Sequence, residues 1–429
     1  MKMKTKTKTG FSFVYACLLV FCAVGGALAG CGKGTGVPET SPAPETSPET
    51  VARTEEIPSL SLDMPETEET TQYAEPEPQL PPYLLPEERY GEDGRVRSYL
   101  TGLWVDAAIG ERRPLAIMMS NDKEAAPQYG MNHAGVIYEA PVEAGMNRFM
   151  SLIEDFDELE RIGSVRSCRT YYTYFARQFE AIYAHFGQST FAKPYLANVD
   201  NLNGIEGKGS SAYYRSTDKK SPHNAYASGE KILDAIDKMG YSLDYPEGYG
   251  GNFRFARDVI SLADAPGAVE AYKVTPGYVY NKPWFEYNEA EYLYYRFQYG
   301  KAHLGDEGQL AVTNILLLYC PYAHYATTAY LNINVHGDNY GYYVTRGAAV
   351  PIHWIKDTEF GVTRYYDGDG EEIILNQGKT WICIIGITAK AGPNVEFEGR
   401  PEGAGVAGGA SETEEEPDEY AQWEGSGDW

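Results

Sequence analysis

Between residues 112 and 240 the apolar positions fall into short runs separated by polar turns, and the period of the runs changes from one to the next. Leu115 to Met119, following Arg112-Arg113-Pro114, is an unbroken apolar run of the kind that forms a strand buried on both faces. Val136 to Glu139 and Arg148 to Ile153 read as further strands. Ser164 to Phe179 has helical spacing at Tyr171, Tyr174, Phe175 and Phe179, with Ser164 or Ser167 as its cap. Ala181 to His185 is a strand stopped by Gly187, and Ser189 to Val199 and Ser228 to Met239 return to helical spacing. Interleaved strands and helices predict an α+β or mixed α/β unit over residues 91–255.

Residues 241–275 are rich in Gly, Pro, Asp and aromatics, which predicts a connection between two domains. From Tyr278 onward the texture is that of strands: Tyr292 to Phe297, Ile315 to Tyr319, Tyr330 to Val335, Tyr342 to Val344 and Gly361 to Tyr366 are dominated by Thr, Val, Ile and Tyr. Asp367-Gly-Asp-Gly370 reads as a hairpin turn; a calcium loop would need a glycine at its sixth position and later ligands that are missing. The expected fold class is therefore α+β, an N-terminal mixed α/β domain followed by a mostly antiparallel β C-terminal domain over 256–395. About 300 residues suffice for two core-bearing units.

The two ends of the chain read differently. Lys2, Lys4, Lys6 and Lys8 precede an apolar stretch from Phe11 to about Ala27, which together make residues 1–30 a secretory signal peptide. Leu28-Ala29-Gly30-Cys31 resembles the lipobox of bacterial lipoproteins, in which cleavage precedes a cysteine that then takes fatty acyl chains such as palmitate. Two or three acyl chains on Cys31 give lasting attachment, so the chain is expected on the extracytoplasmic face of the cell membrane. Residues 31–90 repeat Pro, Glu, Thr and Ser with few apolar positions and read as a disordered tether, with a reach of roughly 40 Å for about 55 residues. Residues 396–429 read as a second acidic tail.

Charge is uneven along the chain. The formal net charge is −25, but residues 32–89 hold 13 acidic against 3 basic residues and 401–429 hold 9 acidic and no basic ones, so that 90–400 is near −10. No basic stripe is available for nucleic acid. Of six cysteines, Cys17 and Cys22 belong to the leader and Cys31 to the anchor. The remaining Cys168, Cys320 and Cys383 are odd in number and without a CxxC spacing, so at most one disulfide can form and buried thiols are expected.

Several catalytic signatures are missing: there is no HExxH, no GxSxG and no complete phosphate loop, and neither a metal nor a cofactor is implied. Ser228-Gly-Glu-Lys231 matches the SxxK of penicillin-binding enzymes, yet Lys379-Thr380 is followed by Trp381 and not by Gly, and a capped helix start accounts for Ser228. The polar residues of interest lie in 121–226. Asn121 and Asp122 follow the first strand, Glu139 ends the next, Glu143 sits in the turn after it and Arg148 opens the third. Arg166 and Arg169 fall in the first turn of the expected helix, His185 and Ser189 flank Gly187, and Arg215, His223 and Asn224 lie in a later loop. With the strands as neighbours, these residues gather along one sheet edge, where ligand sites commonly form. Arginines with Glu, His and Asn suit a polar, partly anionic ligand. Structural readings compete at each position: Arg166 as partner of Glu139 or Glu143, Arg169 as a solvated residue, His185 as a satisfied core histidine, His223-Asn224 as a turn cap.

Long motifs carry a resemblance to a known family: Arg113-Pro-Leu-Ala-Ile-Met-Met-Ser-Asn121, Ile137-Tyr-Glu-Ala-Pro-Val-Glu-Ala-Gly145 with Asn147-Arg-Phe149, Ile162-Gly-Ser-Val-Arg-Ser-Cys-Arg169, Ala184-His-Phe-Gly-Gln-Ser189, Ser221-Pro-His-Asn224, Asp369-Gly370 and Gly378-Lys-Thr-Trp381. Over about residues 95–390 the chain resembles the YerB-like lipoproteins, a two-part domain family of uncharacterised function from Gram-positive bacteria. Asn147 stands where that family usually has Thr, and Cys168 where it often has Ala. The resemblance implies an α+β first part, a β-rich second part, a lipid anchor and an envelope role beside peptidoglycan synthesis. Three functions are compatible with the residues. The first is a module binding peptidoglycan or another wall glycan and assisting wall synthesis, with a penicillin-binding protein as a candidate partner. The second is a lytic transglycosylase-like enzyme with Glu143 or Glu139 as general acid. The third is a non-catalytic protein scaffold.

Overall fold

The computed structural model describes Leu80–Pro401; the leader, Cys31, most of the acidic tether and the acidic tail lie outside the described residues. Strands dominate and helices are few. The strands that matter below are β1 Leu115–Ser120, β2 Val136–Pro141, β3 Asn147–Ile153, β4 Ile182–His185, β5 Asn201–Asn203, β6 Trp284–Asn288, β7 Leu293–Gln298, β8 Asn314–His324, β9 Gly337–Thr345, β10 Ala348–Lys356 and β11 Thr380–Ile387. Among the described residues the longest helices are α1 Thr170–Gln178, of 9 residues, and α2 Gly229–Met239, of 11.

One large mixed sheet runs in the order β10-β9-β8-β11-β2-β3-β1-β4-β5. Its pivot is β11, which lies parallel to β8 on one side and to β2 on the other, with Cys383 opposite both Leu317 and Glu139. Because side chains alternate along a strand, each face of this sheet buries its own set. One face packs Met118, Tyr138, Met150, Leu316 and Ile382 under α1. The other packs Ile117, Ile137, Phe149, Leu317 and Trp381 under α2 and under a second, smaller antiparallel sheet that contains β6 and β7.

Residues 91–255 and 256–395 therefore do not bury separate cores, as a two-unit reading of the chain expects; each face draws on both segments. The expected connector, 241–275, contributes short pairings instead: Arg254–Phe255 runs parallel to Ile374–Leu375, and Val269–Glu270 pairs with Ala348–Ala349. Folded structure also extends past both expected limits, with Tyr83 bridging Ala256 and Glu396–Glu398 pairing with Lys273–Thr275.

The helix expected from Ser164 begins only at Thr170, and neither Ser164 nor Ser167 caps it. The reason is tertiary. The N–H groups of Val165, Arg166 and Cys168 donate to Ala225 O, Met118 O and Gly187 O, so this stretch is held extended beside β1 and the exit of β4. The second helix starts where the sequence places it, with the Ser228 side chain accepting from the Lys231 N–H. Gly229 is required there, since a Cβ would lie 2.0 Å from Phe156 O. Ser189–Val199 forms a 3-10 helix over Lys193–Asn198, not an α-helix. Cys168, Cys320 and Cys383 are buried free thiols.

Between the two sheets lies a buried ionic network. Glu139 and Arg296 have no exposed side-chain surface and meet at 2.8 Å. Glu139 also accepts from Asn147 at 2.9 Å, Asn281 at 3.2 Å and Trp381 Nε1 at 3.1 Å. On the far side Arg296 donates to Gln298 Oε1 and to His303 Nδ1, which fixes the His303 proton on Nε2, where it donates to Gln128 Oε1. Burial and the Arg296 charge hold the His303 pKa well below the usual range. The first half of the chain supplies Gln128, Glu139 and Asn147, and the second half everything else.

Removing one member of a buried ion pair leaves an uncompensated charge and costs about 3–5 kcal/mol, whereas removing both costs far less than twice that. Urea unfolding of Glu139→Leu, Arg296→Met and the double variant is expected to give two large single losses and a double loss smaller than their sum by at least about 1 kcal/mol; additive losses would contradict this.

Lys356 has no exposed surface, and its Nζ donates to Gln178 Oε1 at 3.3 Å and to Gly361 O, both neutral acceptors. Burial pushes its pKa down to about 7. From pH 7 to about 10.5 the unfolded chain keeps a proton that the native lysine has lost, so this residue makes stability rise with pH in that window. The stability of Lys356→Met minus that of wild type should therefore fall between pH 7 and pH 10 in thermal unfolding; a pH-independent difference would contradict it.

Candidate functional site

Strands β1, β2, β4, β5 and β11 run in one direction, so their C-terminal ends share an edge with the start of the antiparallel β3. The extended stretch Ser164–Cys168 crosses this edge, tied to Met118 and Gly187 as described above. Three guanidiniums converge on it. Arg148 opens β3 and donates to Ser167 O at 2.5 Å, and Arg169 Nη1 reaches the same carbonyl at 3.5 Å. Arg166 donates to Pro222 O at 3.2 Å.

Their neutralisation is unequal. Arg169 forks onto Glu143, with Nε to Oε1 at 2.6 Å and Nη2 to Oε2 at 2.5 Å. Burial opposes its charging, but the Glu143 hydrogen bonds and negative charge together outweigh this and hold its pKa up. Arg148 is 6 % exposed and, among the described residues, has no carboxylate partner. Burial first, and then the positive charges of Arg169 and Arg166, push its pKa down to about 10. Arg166 is likewise lowered by burial, with Asp122 offsetting part of the effect. Asp122 Oδ2 accepts from Ser120 Oγ at 2.6 Å and lies 3.6 Å from His223 Nδ1. Burial lowers the His223 pKa, and Asp122 again opposes the shift.

Glu143, Arg148, Arg166, Arg169 and His223 thus share one neighbourhood, whereas four other candidates are engaged elsewhere. Glu139 belongs to the buried network between the sheets and is not available as a general acid. His185 is fully buried, its Nδ1 at 2.8 Å from Gly187 O and its Nε2 at 3.2 Å from Asn201 Oδ1. Ser189 Oγ accepts from Ala192 N, and Asn224 Oδ1 accepts from Arg215 while its amide donates to Ser216 O. Arg166 pairs with neither Glu139 nor Glu143; Arg296 and Arg169 take those carboxylates.

Sequence reasoning missed an aromatic group at the same edge. Phe191 stacks on Tyr325 at 3.9 Å with Tyr330 at 5.7 Å, and Arg169 lies 5.2 Å from the Tyr330 ring centre. All three rings are half-buried. Phe191 follows β4, whereas Tyr325 and Tyr330 belong to the turn that follows β8, so no local pattern marks them as a set. Two surface recesses lie elsewhere: one of about 480 Å³ lined by Arg113, Glu180 and Asp200, and one of about 360 Å³ lined by Met131, Leu310 and Lys379. Arg113 is already committed to Asp200 and Ser242 O, and Arg177, which also lines it, to Glu180, so the first offers no free cation. Among the described residues no cluster of His, Cys, Asp or Glu could hold a metal, and no helix is long and apolar enough to cross a membrane.

Both ends of the described chain leave from the opposite edge. Tyr83 bridges Ala256, beside the strand that pairs with Ile374–Leu375 just ahead of β11. Arg400 N reaches Glu270, which pairs with Ala348 at the start of β10.

The fold defines a strand-rich, two-part protein whose parts are completed by a shared sheet. The chain belongs to the family described as "Protein of unknown function (DUF3048)", whose N-terminal domain matches residues 100–242 and whose C-terminal domain matches 274–382. It is 27% identical over 299 residues to "Putative lipoprotein YerB" of Bacillus subtilis (strain 168), covering 68% of this chain and 86% of that protein. It is also similar to the crystal structure of the YerB protein from Bacillus subtilis, with a TM-score of 0.60 and 26% identity over 68% of this chain and 96% of that one.

Proposed function

We propose that this protein is a lipid-anchored lipoprotein of the cell envelope that binds a wall glycan, peptidoglycan first, at the arginine edge and so assists wall synthesis. The observation that carries the reading is Arg148, a buried guanidinium without a carboxylate partner among the described residues, flanked by Arg166 and Arg169 in a chain of net charge −25. An uncompensated buried charge is costly unless something pairs with it, and an anionic ligand supplies the pair. The half-buried Phe191, Tyr325 and Tyr330, the last beside Arg169, suit the apolar face of a sugar ring. The leader, Cys31 and the lipoprotein name of the relative support the anchor.

An enzymatic reading has less support. Both oxygens of Glu143 accept from Arg169, which leaves neither free to hold a proton toward a glycosidic oxygen.

The chain from residue 32 onward, free of leader and anchor, is expected to sediment with insoluble peptidoglycan, and Arg166→Glu to weaken that binding about tenfold or more, the loss of one charge-assisted contact. Sedimentation no greater than with an inert resin would contradict the reading.

A further inference from the structure

The charges at the edge do not cancel. Arg148, Arg166 and Arg169 bring three positive groups, and Glu143 and Asp122 return two negative ones, which leaves room for a single negative charge. Resting on the wall-binding reading above, we propose that the edge takes a singly charged carboxylate carried on a wall sugar or its peptide, and that Glu143 is the residue that imposes the limit of one charge.

The geometry divides the labour between the arginines. Glu143 fills the fork of Arg169 and turns that guanidinium toward Ser167 O, where Arg148 also donates. The ligand is left with the remaining nitrogens of Arg148, which is 6 % exposed and keeps one on Ser167 O, and of the half-buried Arg166, which keeps one on Pro222 O. The fork shows what the site accepts, since it already holds a carboxylate of the chain itself. That carboxylate is supplied by a turn built to hold it: Val142 N donates to Met146 O, and Ala144 and Gly145 take positive φ values of 59° and 73°. Tyr330 lies 5.2 Å from the Arg169 guanidinium, so the aromatic group borders the same edge. A doubly charged phosphate monoester would face Glu143 and Asp122 with only one net positive charge to meet it, and like charges at such range repel.

The test uses the chain from residue 32 onward and three probes: a soluble wall disaccharide-peptide with free carboxylates, the same compound with its carboxyls amidated, and inorganic phosphate at pH 8 as competitor. Wild type is expected to bind the free form about tenfold more tightly than the amidated one. Glu143→Gln, with its fold checked by circular dichroism, is expected to bind phosphate at least about tenfold more tightly than wild type does. Should that variant fail to fold, Arg166→Gln replaces it and is expected to lose the preference for the free form; a retained preference overturns the proposal. Equal binding of free and amidated compounds, or unchanged phosphate competition in Glu143→Gln, also overturns it. Wall stripped of phosphodiester polymers should retain binding; loss on stripping would transfer the site to that polymer and overturn the carboxylate assignment. If wild type binds no wall material in any form, the wall-binding reading itself fails, a result separate from all of these.

Discussion

A carboxylate and a guanidinium enclosed between two sheets set the terms on which this chain can fold. Desolvating Glu139 and Arg296 is unfavourable unless most of their remaining lone pairs and protons find partners, and here only Arg296 Nε is left without one. The partners come from distant stretches: Asn147 from β3, Asn281 from the segment ahead of β6, His303 and Gln298 from around β7, and Trp381 from β11. None of these stretches can complete the network alone. Polar networks of this kind are unforgiving when partly satisfied, and that intolerance selects one arrangement of the strands. The insertion of β11 between β8 and β2 follows from the same constraint, because it brings Trp381 to Glu139 while its apolar residues join both cores.

The constraint also reaches the candidate site. Glu139 and Asn147 lie at either end of the turn that carries Glu143, and Asn147 is the residue before Arg148. Alternation along β3 sends Asn147 toward the smaller sheet and leaves Arg148 on the side of α1. The buried network therefore acts as a fixed base for the edge: Asn147, which helps hold the halves together, directly precedes the buried Arg148 of the edge. Elsewhere the protein is acidic, so the arginine edge is a local exception and not part of a cationic surface. Long-range attraction for an anionic polymer would be weak, and recognition would rest on short-range hydrogen bonds from a desolvated site.

Much of this was legible in the sequence where local pattern decides the outcome. The continuous apolar run at Leu115–Met119 became β1, the Ser228 cap began α2, and the gathering of strand ends followed from the order of strands and turns. What local pattern could not supply were the features decided by distant partners. Ser164–Cys168 heads a stretch whose helical spacing lies at Tyr171 to Phe179, yet its N–H groups are claimed by β1, Ala225 and the β4 exit. Glu139 looked like a strand-end acid because its partner lies 157 residues away. The change in texture near Tyr278 suggested a separate β domain, and a change in composition carries no information about which sheet a strand will join. The aromatic group at Phe191, Tyr325 and Tyr330 escaped for the same reason. Tyrosine abundance was visible in the sequence, but the meeting of these three was not.

The two halves are one folding unit closed by β11 and the Glu139 network. Residues 80–255 and 256–401 can be produced separately and their urea unfolding followed by circular dichroism. Neither fragment alone is expected to unfold cooperatively, and mixing the two is expected to restore a cooperative transition. A sharp, two-state transition from either fragment by itself would contradict it.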